Sequence, residues 1–303
     1  MSPFRSILVP LDGSPLAERA LPLATRIASR SGARLELATV RAPVHALALA
    51  TDVPVEAAPP AGLAGEDASY LEKCAAEVER TAGVAATTVM LDGPVPEALS
   101  ARVKEAGVDL VVMSTHGRNA FSRLWLGSVA DALLRTLEAP MLLVRPHPGA
   151  RAGSHPFGRI LLALDGSATA AEAIEPALAL GTHATEFVCC RIVEPPLGIA
   201  SLPYPVAVEL ETASELERQA ADYLDGVVAG LRARGMHARF VVEVAPGAAM
   251  GLLQAAEREQ VDLIALATRG LRGFERFLLG SVADKVVRGA EQPVLVVPPA
   301  REG

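Results

Sequence analysis

The chain has 303 residues, half of them hydrophobic and 21% charged, with a formal net charge of −7. That length suits two domains of ordinary size, each able to bury a core, and that composition excludes a disordered chain. The acidic balance argues against a general nucleic-acid or anionic-membrane binder, because no basic excess exists to neutralise phosphates.

Phe4–Leu11, FRSILVPL, reads as a first strand. Asp12-Gly13-Ser14-Pro15 then makes a turn and a helix start, with Ser14 as cap and Pro15 suited to the first helical position. The opening lacks the apolar core and cleavage site of a signal peptide, and no run is long enough to span a bilayer, so a cytoplasmic protein with no membrane partner is expected. Leu16, Ala20, Leu23, Ala24 and Ile27 recur at helical spacing, and 34–40 forms a second strand. Residues 42–65 are rich in Ala and Pro and carry no periodicity, a connection of a length that usually covers a site or moves. A helix over 66–81, a strand over 84–91 and a helix over 95–106 follow.

Next comes Val108–Ser128, VDLVVMSTHGRNAFSRLWLGS, an apolar strand interrupted only by Asp109, a small-residue turn, a loop, and Gly-Ser at a helix start. Such a construction aims backbone N–H groups at phosphate. A last strand, 141–144, completes the first copy. Residues 145–158, rich in Pro, Gly and Arg, read as a linker. The order then restarts with strands at 159–167 and 186–193, a long helix over about 209–234, the strand 237–244, a helix, the motif again as Val261–Ser281, and VLVVP at 294–298. Asp12 and Asp165 are 153 positions apart, as are Gly117 and Gly270, Gly127 and Gly280, and Pro140 and Pro293. Two copies of one strand–helix domain stand in tandem, and the alternation predicts a doubly wound parallel sheet in each. The three cysteines, Cys74, Cys189 and Cys190, lack CxxC spacing and read as small buried residues in a reducing compartment.

These residues resemble the universal stress protein family in its tandem two-domain form. The family signature G-x2-G-x9-G-[S/T] is matched by Ser114-x2-Gly117-x9-Gly127-Ser128 and by Ala267-x2-Gly270-x9-Gly280-Ser281, each departing at the first glycine, and the D-G-S turn occurs at Asp12-Gly13-Ser14 and Asp165-Gly166-Ser167. The resemblance implies two tandem Rossmann-like domains of the adenine nucleotide alpha hydrolase-like kind, over 1–147 and 158–303 with a linker at 148–157. Each would be a five-stranded doubly wound parallel sheet binding ATP, with Mg2+ bridging phosphates, between its first and fourth strands. Asp12 and Asp165 would face ribose and adenine. Val40 and Ile192, with a one-residue ambiguity towards Val193, would line the adenine pocket. Gly117, Gly127 and Ser128, and likewise Gly270, Gly280 and Ser281, would hold phosphates, with His116 and Arg269 beside them. The flanking Pro10, Leu11, Met113, Val129 and Ala130 join the first lining, and Ala163, Leu164, Leu266, Val282 and Ala283 the second.

Each feature also has a plain structural reading. The glycines permit tight turns, Gly127-Ser128 opens a helix without any ligand, and Asp12 stabilises its turn through Ser14. The duplication at the ends of the right strands favours nucleotide binding over that reading. Neither GxxxxGK[ST], GxGxxG, HExxH nor GxSxG occurs, and no catalytic base stands beside a nucleophile, so a binder and sensor with at most slow ATP hydrolysis is expected. Two other readings stand beside it: an interaction module that binds no nucleotide, which Ser114 and Ala267 would suit, and an adenylating or flavin-binding enzyme of related fold. The apolar final strands APMLLVRP and QPVLVVPP are expected to pair within the chain as a pseudo-dimer, with a homodimer of whole chains also open.

Overall fold

In the computed structural model, residues 4–41, 61–115, 126–145, 157–195, 207–268 and 280–299 are described. The chain divides into two compact units, 2–148 and 149–303. The loop that begins at Ala42, both motif loops with His116, Gly117, Arg269 and Gly270, and the linker segment 146–156 lie outside the described residues.

The first unit runs β1 (Ser6–Pro10), a 3-10 turn (Ala17–Ala20), α1 (Leu21–Ser31), β2 (Arg34–Arg41), α2 (Ala61–Ala82), β3 (Ala86–Asp92), α3 (Val95–Glu105), β4 (Leu110–Ser114), α4 (Ser128–Thr136) and β5 (Met141–Val144). Its strands order as β3-β2-β1-β4-β5 and all pair in parallel. The second unit repeats this with β6 (Arg159–Ala163), α5 (Ala168–Ala171), α6 (Ile174–Leu180), β7 (Glu186–Val193), α7 (Ala207–Ala233), β8 (His237–Val244), α8 (Ala248–Arg258), β9 (Leu263–Ala267), α9 (Ser281–Gly289) and β10 (Val294–Val297). Its order is β8-β7-β6-β9-β10, again parallel throughout. Each unit is therefore the five-stranded doubly wound sheet expected from the alternating pattern.

The central strands are apolar on both faces because helices cover both, as a parallel sheet requires. Ile7, Leu8, Val9, Leu110, Val111 and Val112 are buried in one unit, and Ile160, Leu161, Leu162, Leu263, Ile264 and Ala265 in the other. Asp109, the one charged residue in its apolar run, fastens the strands together. Its carboxylate oxygens accept from the backbone N–H of Arg5 at 2.9 Å and Ser6 at 3.0 Å. Asp262 does the same for Gly158 at 2.8 Å and Arg159 at 2.9 Å.

Several boundaries differ from the sequence expectation. The first helix does not start at Pro15. Ser14 Oγ accepts from the Ala17 N–H at 3.2 Å at the entry to a short 3-10 turn, and the α-helix begins only at Leu21 with Pro22 in its first turn. The second helix begins at Ala61, five residues before the expected start, because its first turn is built from Ala, Gly and Leu and carries no amphipathic signal. Among the described residues, no helix is long and apolar enough to cross a membrane.

Candidate functional site

In each unit the strand order reverses beside the first strand, between β1 and β4 and between β6 and β9. Connections leave opposite faces there, so a crevice opens beyond the carboxyl ends of the strands. The DGS turns form one wall. Gly13 has φ +79° and Gly166 φ +90°, a left-handed backbone that favours glycine. Asp12 Oδ1 accepts from Ser14 N–H at 3.0 Å and from Ser14 Oγ at 2.6 Å. Asp165 Oδ1 accepts from Ser167 N–H at 2.9 Å, and Ser167 Oγ in turn accepts from the Ala170 N–H at 3.1 Å. The plain structural role of these aspartates is therefore real, and it fixes where each carboxylate stands.

The other wall is the helix that follows the motif. Gly127 and Gly280 occupy the N-cap positions of α4 and α9 with nearly the same backbone, φ −59°, ψ 145° and φ −56°, ψ 141°. Lacking a side chain, neither can cap its own helix, which leaves first-turn N–H groups of the kind an anion site needs without a side-chain cap. Gly127 also donates its N–H to Thr115 O at 2.8 Å, and a Cβ there would meet that oxygen at 3.1 Å. Strand end and helix start are thereby held together across the motif loop, closely enough that a side chain at Gly127 would have to push them apart by a few tenths of an ångström.

In the second unit these walls enclose a cavity of about 400 Å³, within the range of small-molecule sites. Its lining gathers Ala163, Leu164 and Asp165 from the end of β6, Ile192 from β7, Leu266 and Ala267 from β9, and Gly280, Ser281, Val282 and Ala283 from α9. Every described second-copy residue expected from the sequence is in that lining. The lining also includes Ser167, Thr169 and Ala170 of the turn, Glu194 just after β7, and Ala248 and Leu252 of α8, which were not singled out. Ser167 was visible in the DGS turn. Ala248 and Leu252 come from a helix remote in sequence and gave no local signal.

Hydrogen bonding settles the ambiguity at the second strand. Leu11 N–H donates to Ala38 O at 2.8 Å, and Leu164 N–H donates to Cys190 O at 2.9 Å. Leu11 and Leu164 are 153 positions apart, whereas Ala38 and Cys190 are 152 apart, so Val40 corresponds to Ile192 and not to Val193. Ile192 faces the cavity, and Val193 is buried on the other side. In the first unit Pro10, Leu11 and Asp12 end β1, Val40 is near the end of β2, Met113 and Ser114 close β4, and Gly127–Ala130 open α4. Ser114, in place of the first glycine, is only 6% exposed and sits in the strand end itself.

The cysteines are not part of this site. Cys189 and Cys190 are buried and unpaired to each other, and burial pushes both thiols up to about 12.

Two stretches, 3–145 and 156–298, match the model of the universal stress protein family. A universal stress protein of Synechocystis is 30% identical over 152 residues, covering 46% of this chain and 97% of that protein. One of Mycolicibacterium smegmatis is 29% identical over 192 residues, covering 63% of this chain and 62% of that protein. Among solved structures, a universal stress protein of Archaeoglobus fulgidus superposes with a TM-score of 0.72 at 19% identity, covering 97% of this chain and 98% of that one. The two stretches that match the family model take in both repeats, and the chain belongs to the universal stress protein family.

Proposed function

We propose that each half of the chain binds an adenine nucleotide, ATP with Mg2+, in the crevice beyond its first and fourth strands, and that occupancy regulates the protein in a stress response. The observation that carries this reading is the second-unit cavity, whose lining joins the DGS turn, the Ile192 wall and the α9 start in one space. The amides at the start of α9 would hold phosphate oxygens. Ser281 would add a hydroxyl, Asp165 would accept from a ribose hydroxyl, and Ile192 and Leu252 would pack on the base. Among the described residues no cluster of three or more His, Cys, Asp or Glu gathers, so Mg2+ would be carried largely by phosphate oxygens and water, as it commonly is. Bound there, the metal would supply charge neutralisation for the phosphates. Pairing of the final strands, 141–144 with 294–297, within one chain belongs to the same reading, as does a cytoplasmic location.

The test is a calorimetric titration of Mg-ATP into the whole chain and into Gly127→Ala and Gly280→Ala. Two sites are expected in the parent and one strong site in each variant. No heat and no saturation in any of the three would reject nucleotide binding and leave the interaction module.

A further inference from the structure

The second cavity is electrically polarised. It extends across the ends of β7, β6 and β9. On the β9 side, α9 presents the positive end of its backbone dipole. On the β7 side stands Glu194, an exposed carboxylate in the cavity wall. Its Oε1 accepts from the Ala248 N–H at the start of α8 at 2.9 Å, which anchors the side chain beside Ile192 and Leu252. The 152-residue offset that relates β2 to β7 places Ala42 at the corresponding position of the first copy, so the acid belongs to the second copy alone. A ligand that puts its phosphates at α9 lays its base against the β7 side, next to Glu194. An ionised carboxylate only accepts hydrogen bonds, so it rewards an N–H on the facing edge of the base.

Resting on the reading of this cavity as an adenine-nucleotide site, we propose that Glu194 is a specificity residue that accepts a hydrogen bond from the exocyclic 6-amino group of the base, giving the second site a base selectivity the first site lacks. Its carboxylate serves two donors, the Ala248 amide and the base. This goes beyond helix capping, which needs only the first.

The experiment compares ATP with its 6-deamino analogue, purine riboside triphosphate, and with GTP. It uses displacement of a fluorescent adenine nucleotide from the full chain carrying Gly127→Val to close the first copy. The parent is expected to prefer ATP over the 6-deamino analogue by about ten-fold or more, the scale of one hydrogen bond to a charged group. In Glu194→Gln the amide oxygen still accepts from Ala248 and holds α8, so the melting temperature is retained. Its NH2 then faces the base, and the preference falls to within about two-fold. Equal binding of ATP and the analogue by the parent, or a loss in Glu194→Gln that is the same for both, overturns the role of Glu194 while leaving the nucleotide site standing. Tighter binding of GTP than ATP overturns the adenine reading itself, and no binding of any of the three overturns both.

Discussion

At the residue scale, helix start and strand end meet backbone to backbone at Gly127. A Cβ at Gly127 would stand 3.1 Å from the Thr115 carbonyl oxygen, to which the Gly127 amide is already bonded. Gly127→Ala is therefore expected to lower stability by about 1 kcal/mol, through a forced shift of strand end against helix start, and to weaken nucleotide binding in the first copy about ten-fold. A melting curve and the same titration check both, and an alanine variant that binds as the parent does would contradict the role of this contact. The thiols give a second prediction. Burial raises all three, and for Cys74 the Tyr70 hydroxyl offsets part of that effect while Glu18 adds to it. With a disulfide-exchange reagent at pH 8, the native protein should expose at most Cys74, and that slowly, with Cys189 and Cys190 reacting only after denaturant is added. Rapid reaction of more than one thiol in the native state would contradict the burial of the β7 pair. Much of this scale was legible in the sequence. Asp-Gly-Ser states its turn chemistry locally, and Gly-Ser before an amphipathic run states a helix start. Glu194 was not legible, because its meaning depends on Ala248 arriving beside it from 54 residues away.

At the element scale, two features of the second unit were hidden from the sequence. One is the approach of α8 to β7. Gly251 is the fourth residue of α8, and a glycine inside a helix costs up to about 1 kcal/mol relative to alanine. A Cβ there would meet the Ala245 Cβ at 2.9 Å and two Ile192 carbons at 3.0 Å. The helix packs on the strand through that missing methyl, and in doing so sets the depth of the Ile192 wall. Gly251→Ala should therefore destabilise the fold, against the usual gain from helix propensity, and weaken nucleotide binding several-fold in the second copy only. A higher melting temperature with unchanged binding would show that α8 has slack.

The other feature is a chain of ion pairs on β6, β7, β8 and α8. Glu186 bonds Arg159 and Arg239, Arg239 also bonds Glu259, and Arg258 bonds Glu243 and Glu259. Burial alone would raise the Glu186 carboxyl, but hydrogen bonds from the two arginines bring it below its ordinary value, and Arg258 holds Glu243 low as well. A carboxyl lower in the folded chain contributes stability above its unfolded value of about 4.3, and that contribution is lost as pH falls through the folded value. With side chains 32% and 37% exposed in the Glu186–Arg159 pair, solvent screening keeps each pair to no more than about 1 kcal/mol. Glu186→Gln should thus lower stability at pH 7 and flatten its decline below about pH 5. An unchanged acid limb would remove this network as a cause.

The register of β7 belongs to this scale too. A one-residue difference in spacing between the copies is invisible in apolar runs such as EFVCCRIV. The pairing of the strands, with the bond from Leu11 to Ala38 set against that from Leu164 to Cys190, fixes Ile192 as the counterpart of Val40.

At the scale of the whole molecule, the repeat was the most legible feature, because landmarks such as Asp12 and Asp165, or Gly127 and Gly280, recur at a single spacing that two chance motifs would not share. The copies nonetheless diverge in sequence at matched positions. Glu194 stands in place of Ala42, Arg269 of His116, and Thr169 of Leu16, so the two proposed sites are expected to differ in affinity and selectivity. Within its own unit each strand order ends on a short apolar strand, 141–144 or 294–297, and the proposed pairing of these strands predicts slow amide exchange along both. Exchange that stays slow on dilution would fit pairing inside one chain. Fast exchange of alternate amides in both strands would contradict it.

The most direct measurement of the central claim is to denature freshly purified protein, identify the nucleotide released and determine its ratio to chain. Adenine nucleotide is expected to approach two per chain after saturation with Mg-ATP and to fall to one in Gly280→Ala. Protein that releases none and takes up none from Mg-ATP would contradict the nucleotide reading, and the crevices would then be architecture without a nucleotide site.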